Sequence, residues 1–184
     1  MGLADSTPAL LEYVWPRIRG RLDGMTDDEY LWQPAPGCWS VHLAASGKWE
    51  AEVADPAPEP PPVTTIAWRS WHIGSQCLGG FAELLFDTHP LALERLEWYP
   101  TASAACEALD QAWSGFLSGC RELDDDTMAI KLGPSWGPYA ERNRADALLH
   151  VADEIIHHGA EVALLRDLYA ATEGRLLAEL DRAD

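Results

Sequence analysis

Apolar residues recur at three- and four-residue intervals along four long segments of the chain, a pattern typical of helices with one buried face. The first segment covers about residues 7–22 and the second about residues 64–86. The third covers about residues 101–123. The fourth begins after the Gly-Pro pair at 137–138 and continues to about residue 180, with a break expected near Gly174. These four segments predict a mostly helical protein.

Local signals place several of the helix ends. Ser6 or Thr7 before Pro8 marks the start of the first helix, because proline suits a first turn. Pro16 lies inside that segment and predicts a kink or an early break. Thr26 begins a Thr-Asp-Asp-Glu sequence, which predicts one short helical turn with a capping box. Thr64 or Thr65 is expected to cap the second long helix.

Residues 31–62 interrupt the helical pattern. Residues 38–43 are expected to form a short strand and residues 48–53 a return strand, joined at the turn signal Ser46-Gly47. The proline-rich residues 55–62 predict an extended connector on the surface. We therefore expect a single all-α domain over residues 1–184: an up-down four-helix bundle with a small β-hairpin insert between helices 1 and 2.

Two stripes run along the second long helix if it is a regular α-helix. One stripe is apolar and is expected to face the core; it contains Ile66, Ile73, Cys77, Gly80 and Leu84. The other is polar or small and contains Thr65, Trp68, Arg69, His72, Ser75, Gln76 and Gly79. On the third helix we expect an inward face of Cys106, Leu109, Trp113, Phe116, Leu117 and Cys120.

Composition narrows the range of partners. The formal net charge of −17 argues against nucleic acid and anionic membranes, which are bound chiefly through Lys and Arg. The sequence shows neither a signal peptide nor an apolar stretch long enough to span a bilayer. Four scattered cysteines without a Cys-x-x-Cys pair are expected to be reduced, which favours a cytoplasmic location.

Histidines and carboxylates share one face of the fourth helix. His150, Glu154, His157 or His158, and Glu161 follow one another at helical spacing, beside an apolar face. His72 on the second helix and a Glu-x3-His pair on the fourth helix would supply three protein ligands to a divalent metal and leave coordination positions open. A Glu and a His four residues apart are also common on a solvated helix surface, and His72 has the alternative of a hydrogen-bonded core position.

Three segments carry a resemblance to a known family. They are TDDEYLWQPAPGCWSV at 26–41, TIAWRSWHI at 65–73 and DEIIHHGAEVALLRDLY at 153–169. In their order and spacing they resemble the DinB superfamily, metal-dependent four-helix-bundle proteins that include thiol-dependent transferases and isomerases. The resemblance implies a divalent metal, a small-molecule substrate, a low-molecular-weight thiol such as mycothiol, and a homodimer formed through exposed helical faces.

The resemblance also implies the metal ligands. Common members use three histidines, one on the second helix and two spaced four apart on the last long helix. His72 and His158 match two of these positions, and Glu154 takes the middle place. This His/Glu/His set is similar to that of the mycothiol-dependent maleylpyruvate isomerases in the superfamily. Zinc is the first expectation, and nickel, iron and manganese also accept such donors.

Five neighbouring residues are candidates for other roles. Arg69 is a candidate to bind a substrate carboxylate, and Trp68 is a candidate substrate-binding platform as well as a core residue. His157 has the alternative of being the metal ligand in place of His158, and His157 and Glu161 are both candidates to orient a ligand or to act as a general base. His150 either lines the pocket or faces solvent.

Three functions are consistent with these residues. The first is a transferase or isomerase that activates a thiol at the metal. The second is a non-catalytic metal-binding protein with a role in stress response or ligand binding, because fold alone does not establish function. The third is metal-assisted hydrolysis, with Glu161 or His157 as the base.

Overall fold

The computed structural model describes residues 2–86 and 95–176, and these are mostly helical. A pair of short strands lies between the first two long helical segments, as the sequence predicts. The elements are α1 (Leu3–Leu22), α2 (Asp27–Tyr30), β1 (Val41–Leu43), β2 (Trp49–Ala51), α3 (Ile66–Trp71), a π-helix (His72–Gly80), α4 (Phe81–Phe86), α5 (Ala102–Arg121), α6 (Asp125–Met128), a 3-10 helix (Pro134–Tyr139) and α7 (Arg144–Thr172).

Threonine side chains begin three of these helices at the positions that the sequence indicates. Thr26 caps α2, Thr65 caps α3 and Thr101 caps α5, and each hydroxyl oxygen accepts a hydrogen bond from the backbone N–H three residues later. At the start of α7, the side chain of Asn143 accepts from the N–H of Asp146, whose carboxylate accepts from the N–H of Asn143.

The first helix is longer than expected. It begins at Leu3 rather than near Thr7, and it passes Pro16 without the predicted break. Proline removes the hydrogen bond to the carbonyl four residues earlier, here that of Glu12. Both Pro16 and Glu12 are exposed, so that water can bond to this carbonyl while Val14 and Ile18 stay packed in the core.

The second long segment is helical throughout residues 66–86, but it is not one regular α-helix. Its central part, His72–Gly80, is a π-helix, whose hydrogen bonds join residues five apart. The wider turn changes which side chains face the core beyond it. Leu85 is therefore buried where an unbroken α-helix predicted Leu84, which is only half-buried.

The hairpin anchors the start of this segment. β1 and β2 are antiparallel, with Val41 opposite Ala51, and Gly47 occupies the turn at φ = +80°. Trp39 precedes β1, and its backbone pairs with the strand-like residues before α3: its N–H bonds to Val63 and its carbonyl accepts from Thr65. The hairpin thus fixes the position at which α3 begins.

The core forms where the four long helical segments meet. α1 packs against α7 and α5, and the π-helix packs against α5 and α7. The rings of Trp15 on α1 and Trp113 on α5 stack at 4.8 Å between centroids. The six residues expected on the inward face of α5 are all buried. The up-down order of the helices remains a prediction.

The last helix ends near its predicted break. α7 stops at Thr172, Glu173 adopts a left-handed conformation, and Gly174 follows at φ = +75°. The expected continuation to about residue 180 lies outside the described residues beyond 176. Among the described helices none has the length and apolar character needed to cross a membrane.

Candidate metal centre

His72, Glu154 and His158 meet at one point between the π-helix and α7. The Nε2 atoms of His72 and His158 each lie 3.0 Å from the same oxygen, Oε2 of Glu154. The two imidazole rings are 4.7 Å apart between centroids and nearly perpendicular. The three side chains are between 12% and 23% exposed, so the site is mostly buried but solvent can still reach it. The structure therefore brings together the three residues chosen as ligands from the sequence.

The far side of each ring determines which nitrogen carries the proton. His72 Nδ1 lies 2.7 Å from Oε1 of Gln76, and His158 Nδ1 lies 2.6 Å from Oε2 of Glu161. Both partner oxygens are acceptors, so each Nδ1 would donate to them in a metal-bound state, and the two Nε2 atoms would be left to bind the ion. A cation held there would be shared by the two Nε2 atoms and the Glu154 oxygen.

Arg69 and Glu161 support His158. Arg69 Nε lies 2.9 Å from Glu161 Oε2, an ion pair in which the N–H is not aligned as a hydrogen bond. Arg69 Nη1 also lies 3.2 Å from His158 Nδ1, but the shorter contact of that nitrogen to Glu161 decides that it donates to the carboxylate. The guanidinium sits 5.2 Å from the ring centroid of Trp68. Arg69 is therefore already engaged by protein groups.

Trp68 forms one wall of the site. Its ring stacks on His72 with 5.4 Å between centroids and 9° between planes, and its indole N–H donates to the Glu52 carbonyl at 2.7 Å. The ring also contacts Trp39 and Trp71. The predicted proximity of Trp68 to His72 is confirmed, and the aromatic stack restricts the orientation of the imidazole.

The electrostatics of the site favour charged carboxylates and a neutral His158. Burial tends to raise the pKa of Glu154, but its contacts with His72, His158 and His150 outweigh burial and leave that pKa lowered. Burial also tends to raise the pKa of Glu161, yet its contacts with His158 and Arg69 leave that pKa lowered. Burial lowers the pKa of His158 and outweighs its hydrogen bond with Glu161.

The structure adds a fourth group, Cys77, which the sequence pattern placed on the apolar face. Its Sγ lies 4.0 Å from Glu154 Oε2, and its side chain is buried. Donor atoms of His72, Cys77 and Glu154 all lie within 4.8 Å of one another. The sequence feature that could have indicated this contact is the five-residue spacing of His72 and Cys77, which brings the two side chains together in a π-helix but not in an α-helix.

The other two histidines of α7 lie beside the centre. His157 is exposed, and its Nε2 is 3.2 Å from Glu161 Oε1. His150 is about half-exposed, with Nδ1 3.8 Å from Glu154 Oε1. His157 thus contacts the carboxylate that orients His158, and His150 approaches the second oxygen of Glu154.

A sequence profile of the DinB superfamily matches residues 10–162. The chain belongs to the DinB superfamily. The match includes the π-helix and the part of α7 that carries Glu154 and His158. A comparison with curated proteins and a comparison with solved structures each found no match.

DinB proteins are commonly metal-dependent, and the donors in this chain fit a divalent ion. The two imidazole nitrogens and the carboxylate oxygen are donor types that a divalent ion such as zinc accepts, and each Nε2 lies 3.0 Å from the Glu154 oxygen. The oxygens of Gln76 and Glu161 beside the two Nδ1 atoms would favour the tautomer that a metal needs.

A cavity of about 470 Å³ lies along α7 next to this centre. His150 lies between the cavity and the metal centre, since it lines the cavity and approaches Glu154. Aromatic rings form much of the wall, together with one arginine and two aspartates. The lining residues are Phe81, Leu132, Trp136, Tyr139, Arg142, Asp146, Ala147, Leu149, His150 and Asp153.

Proposed function

We propose that this DinB protein holds a divalent metal through His72, Glu154 and His158 and uses it to activate a low-molecular-weight thiol. The activated thiol serves a transfer or isomerisation reaction on an electrophilic small molecule. The observation that carries this proposal is the convergence of two imidazole Nε2 atoms on one carboxylate oxygen, each at 3.0 Å. A dication with two neutral imidazoles and one carboxylate keeps about one positive charge, which favours a bound thiolate.

The cavity beside the metal centre is a suitable binding site for the electrophile. Its volume of about 470 Å³ lies within the usual range for small-molecule sites, and its aromatic walls suit an apolar body. Arg142 lines this cavity, whereas Arg69 is paired with Glu161. We therefore propose that Arg142, rather than Arg69, binds a substrate carboxylate. The role proposed for Arg69 is to position His158.

Hydrolysis has weaker support. A general base must be free to take a proton from water. Glu161 is already bonded to His158 and paired with Arg69, and its pKa is lowered, so it is a poor proton acceptor. His157 is exposed and bonded to the same carboxylate. The non-catalytic metal-binding protein remains the main alternative.

A thiol-consumption assay tests the catalytic part of the proposal. The zinc-loaded protein is incubated with mycothiol, glutathione or cysteine and a fluorogenic alkylating electrophile, beside a chelated sample and His72→Ala. We expect one thiol to be consumed faster than background only in the loaded wild type. Background rates with every thiol, in a protein that retains its metal, would exclude the transferase and favour the non-catalytic alternative.

A further inference from the structure

Cys77 is placed to complete the donor set of the proposed centre. Its Sγ is 4.0 Å from Glu154 Oε2, the same oxygen that both histidine Nε2 atoms approach at 3.0 Å. Donor atoms of His72, Cys77 and Glu154 are mutually within 4.8 Å. We propose that Cys77 is a fourth protein ligand of the metal held by His72, Glu154 and His158. This inference rests on the proposed function and extends its metal site.

The π-helix explains why a cysteine from the apolar face reaches the site. Five residues of a regular α-helix turn a side chain by about 140° relative to the first, onto a different face. In a π-helix the hydrogen bonds join residues five apart, so His72 and Cys77 come close to alignment one turn apart. The conformation of His72–Gly80 thus places an imidazole and a thiol on one side of the helix.

Cys77 is the most deeply buried of the proposed ligands. Its side chain is only 2% exposed, whereas those of His72 and Glu154 are 21% and 23% exposed. The thiol therefore approaches the common point from the core, and solvent approaches it past the histidine and the carboxylate. An external ligand enters on that exposed side.

Ligand softness favours this arrangement. A Cys77 thiolate would cancel the one positive charge that two neutral imidazoles and one carboxylate leave on a dication, which reduces the cost of holding the ion in a half-buried site. An external thiolate would then gain from that charge only by replacing Cys77. A thiolate also selects zinc or cobalt over manganese, which prefers oxygen ligands. With four protein donors, an added thiol must expand the coordination to five or replace one of them.

Cobalt substitution tests the ligand directly. The metal-free protein is titrated with Co²⁺ while the near-ultraviolet absorption is recorded, where a cobalt–thiolate bond gives an intense charge-transfer band. We expect the band in the wild type and its loss in Cys77→Ala, with at least a tenfold loss in affinity, since even changes outside the ligand shell cost about 10–100-fold. Cys120→Ala, at another buried cysteine, is the matched control and should keep the band.

The possible results separate the two proposals. Co²⁺ binding by the wild type without the band, or a band that survives in Cys77→Ala, would overturn the role of Cys77 and leave the His/Glu/His centre standing. Failure of the wild type to bind Co²⁺ or Zn²⁺ would overturn the centre itself. Unfolding curves of the metal-free variants show whether Cys77→Ala folds; if it does not, Cys77→Ser in the same titration decides, and a persisting band would again exclude the cysteine.

Discussion

Single side chains outside the donor set determine whether His72 and His158 can bind a metal. Gln76 and Glu161 each present an oxygen to an Nδ1, and as acceptors they would leave Nε2 to bind the ion. The sequence predicted His72, Glu154 and His158 because α-helical spacing and the DinB resemblance both pointed to them. It did not predict Cys77 as a neighbour, because the stripe on which Cys77 was placed assumed 3.6 residues per turn.

Replacing Gln76 by leucine tests this orienting role. The change removes the acceptor for His72 Nδ1 and keeps a similar volume, so we expect zinc affinity to fall about 10–100-fold by competition with a chromophoric chelator. Gln111→Leu on α5, an exposed position, is the control and should bind zinc as the wild type does. Equal affinities of the two variants would refute the orienting role.

At the scale of secondary structure, several helix starts were predictable, but the start of α1 and the π-helix were not. Threonine caps depend on two or three neighbouring residues, so the caps at Thr26 and Thr65 and the helix start at Thr101 could be predicted from the sequence. Within the π-helix, Gly74 lies against the ring of Trp98, where a Cβ would not fit. That contact joins residues far apart in the chain and has no local signature.

Gly74→Ala tests this close approach. An added Cβ would lie 2.3 Å from Cη2 of Trp98 and 3.1 Å from Cδ2 of Leu109, so the ring must move. We expect a loss of about 1–3 kcal/mol in the free energy of unfolding, measured with urea. Gly115→Ala on α5 has open space around it and should instead gain up to about 1 kcal/mol from helix propensity. A gain at both positions would show that the approach of Trp98 is not a constraint.

At the scale of the whole molecule, a mostly buried ion pair links α2 to α7. Glu29 is 8% exposed and Arg166 is 18% exposed, and they form a two-pronged contact at 2.7 and 3.1 Å. Arg166 also donates to the backbone carbonyls of Arg21 and Asp23 at the end of α1. The sequence predicted α2 and α7 separately, but it gave no indication of this long-range contact, which fixes the end of α1 and α2 against the helix that carries Glu154.

Glu29→Ala should therefore be costly. It leaves the charge of Arg166 buried with only backbone acceptors, and we expect about 3 kcal/mol less stability in urea unfolding. Glu12→Ala breaks the exposed pair with Arg121 and should cost no more than about 1 kcal/mol. Similar losses in the two variants would mean that the buried pair is no stronger than a surface one.

The overall architecture was predictable to the extent that it depends on helical periodicity and turn residues. The mostly helical fold, the hairpin at residues 41–51 and the DinB family are confirmed. The longer α1 and the shift from Leu84 to Leu85 were not predicted, since both depend on how surfaces pack after the helices form. The net charge of −17 still argues against nucleic acid and anionic membranes, and those exclusions remain predictions.

Metal content measured by elemental analysis tests the central claim most directly. Wild type, His72→Ala, His158→Ala and the exposed-histidine control His42→Ala are each purified, loaded with zinc and freed of unbound metal. We expect about one zinc per chain in the wild type and in His42→Ala, and little zinc in the other two variants, because each loses a nitrogen donor that faces Glu154. The same zinc content in all four proteins would contradict the metal centre.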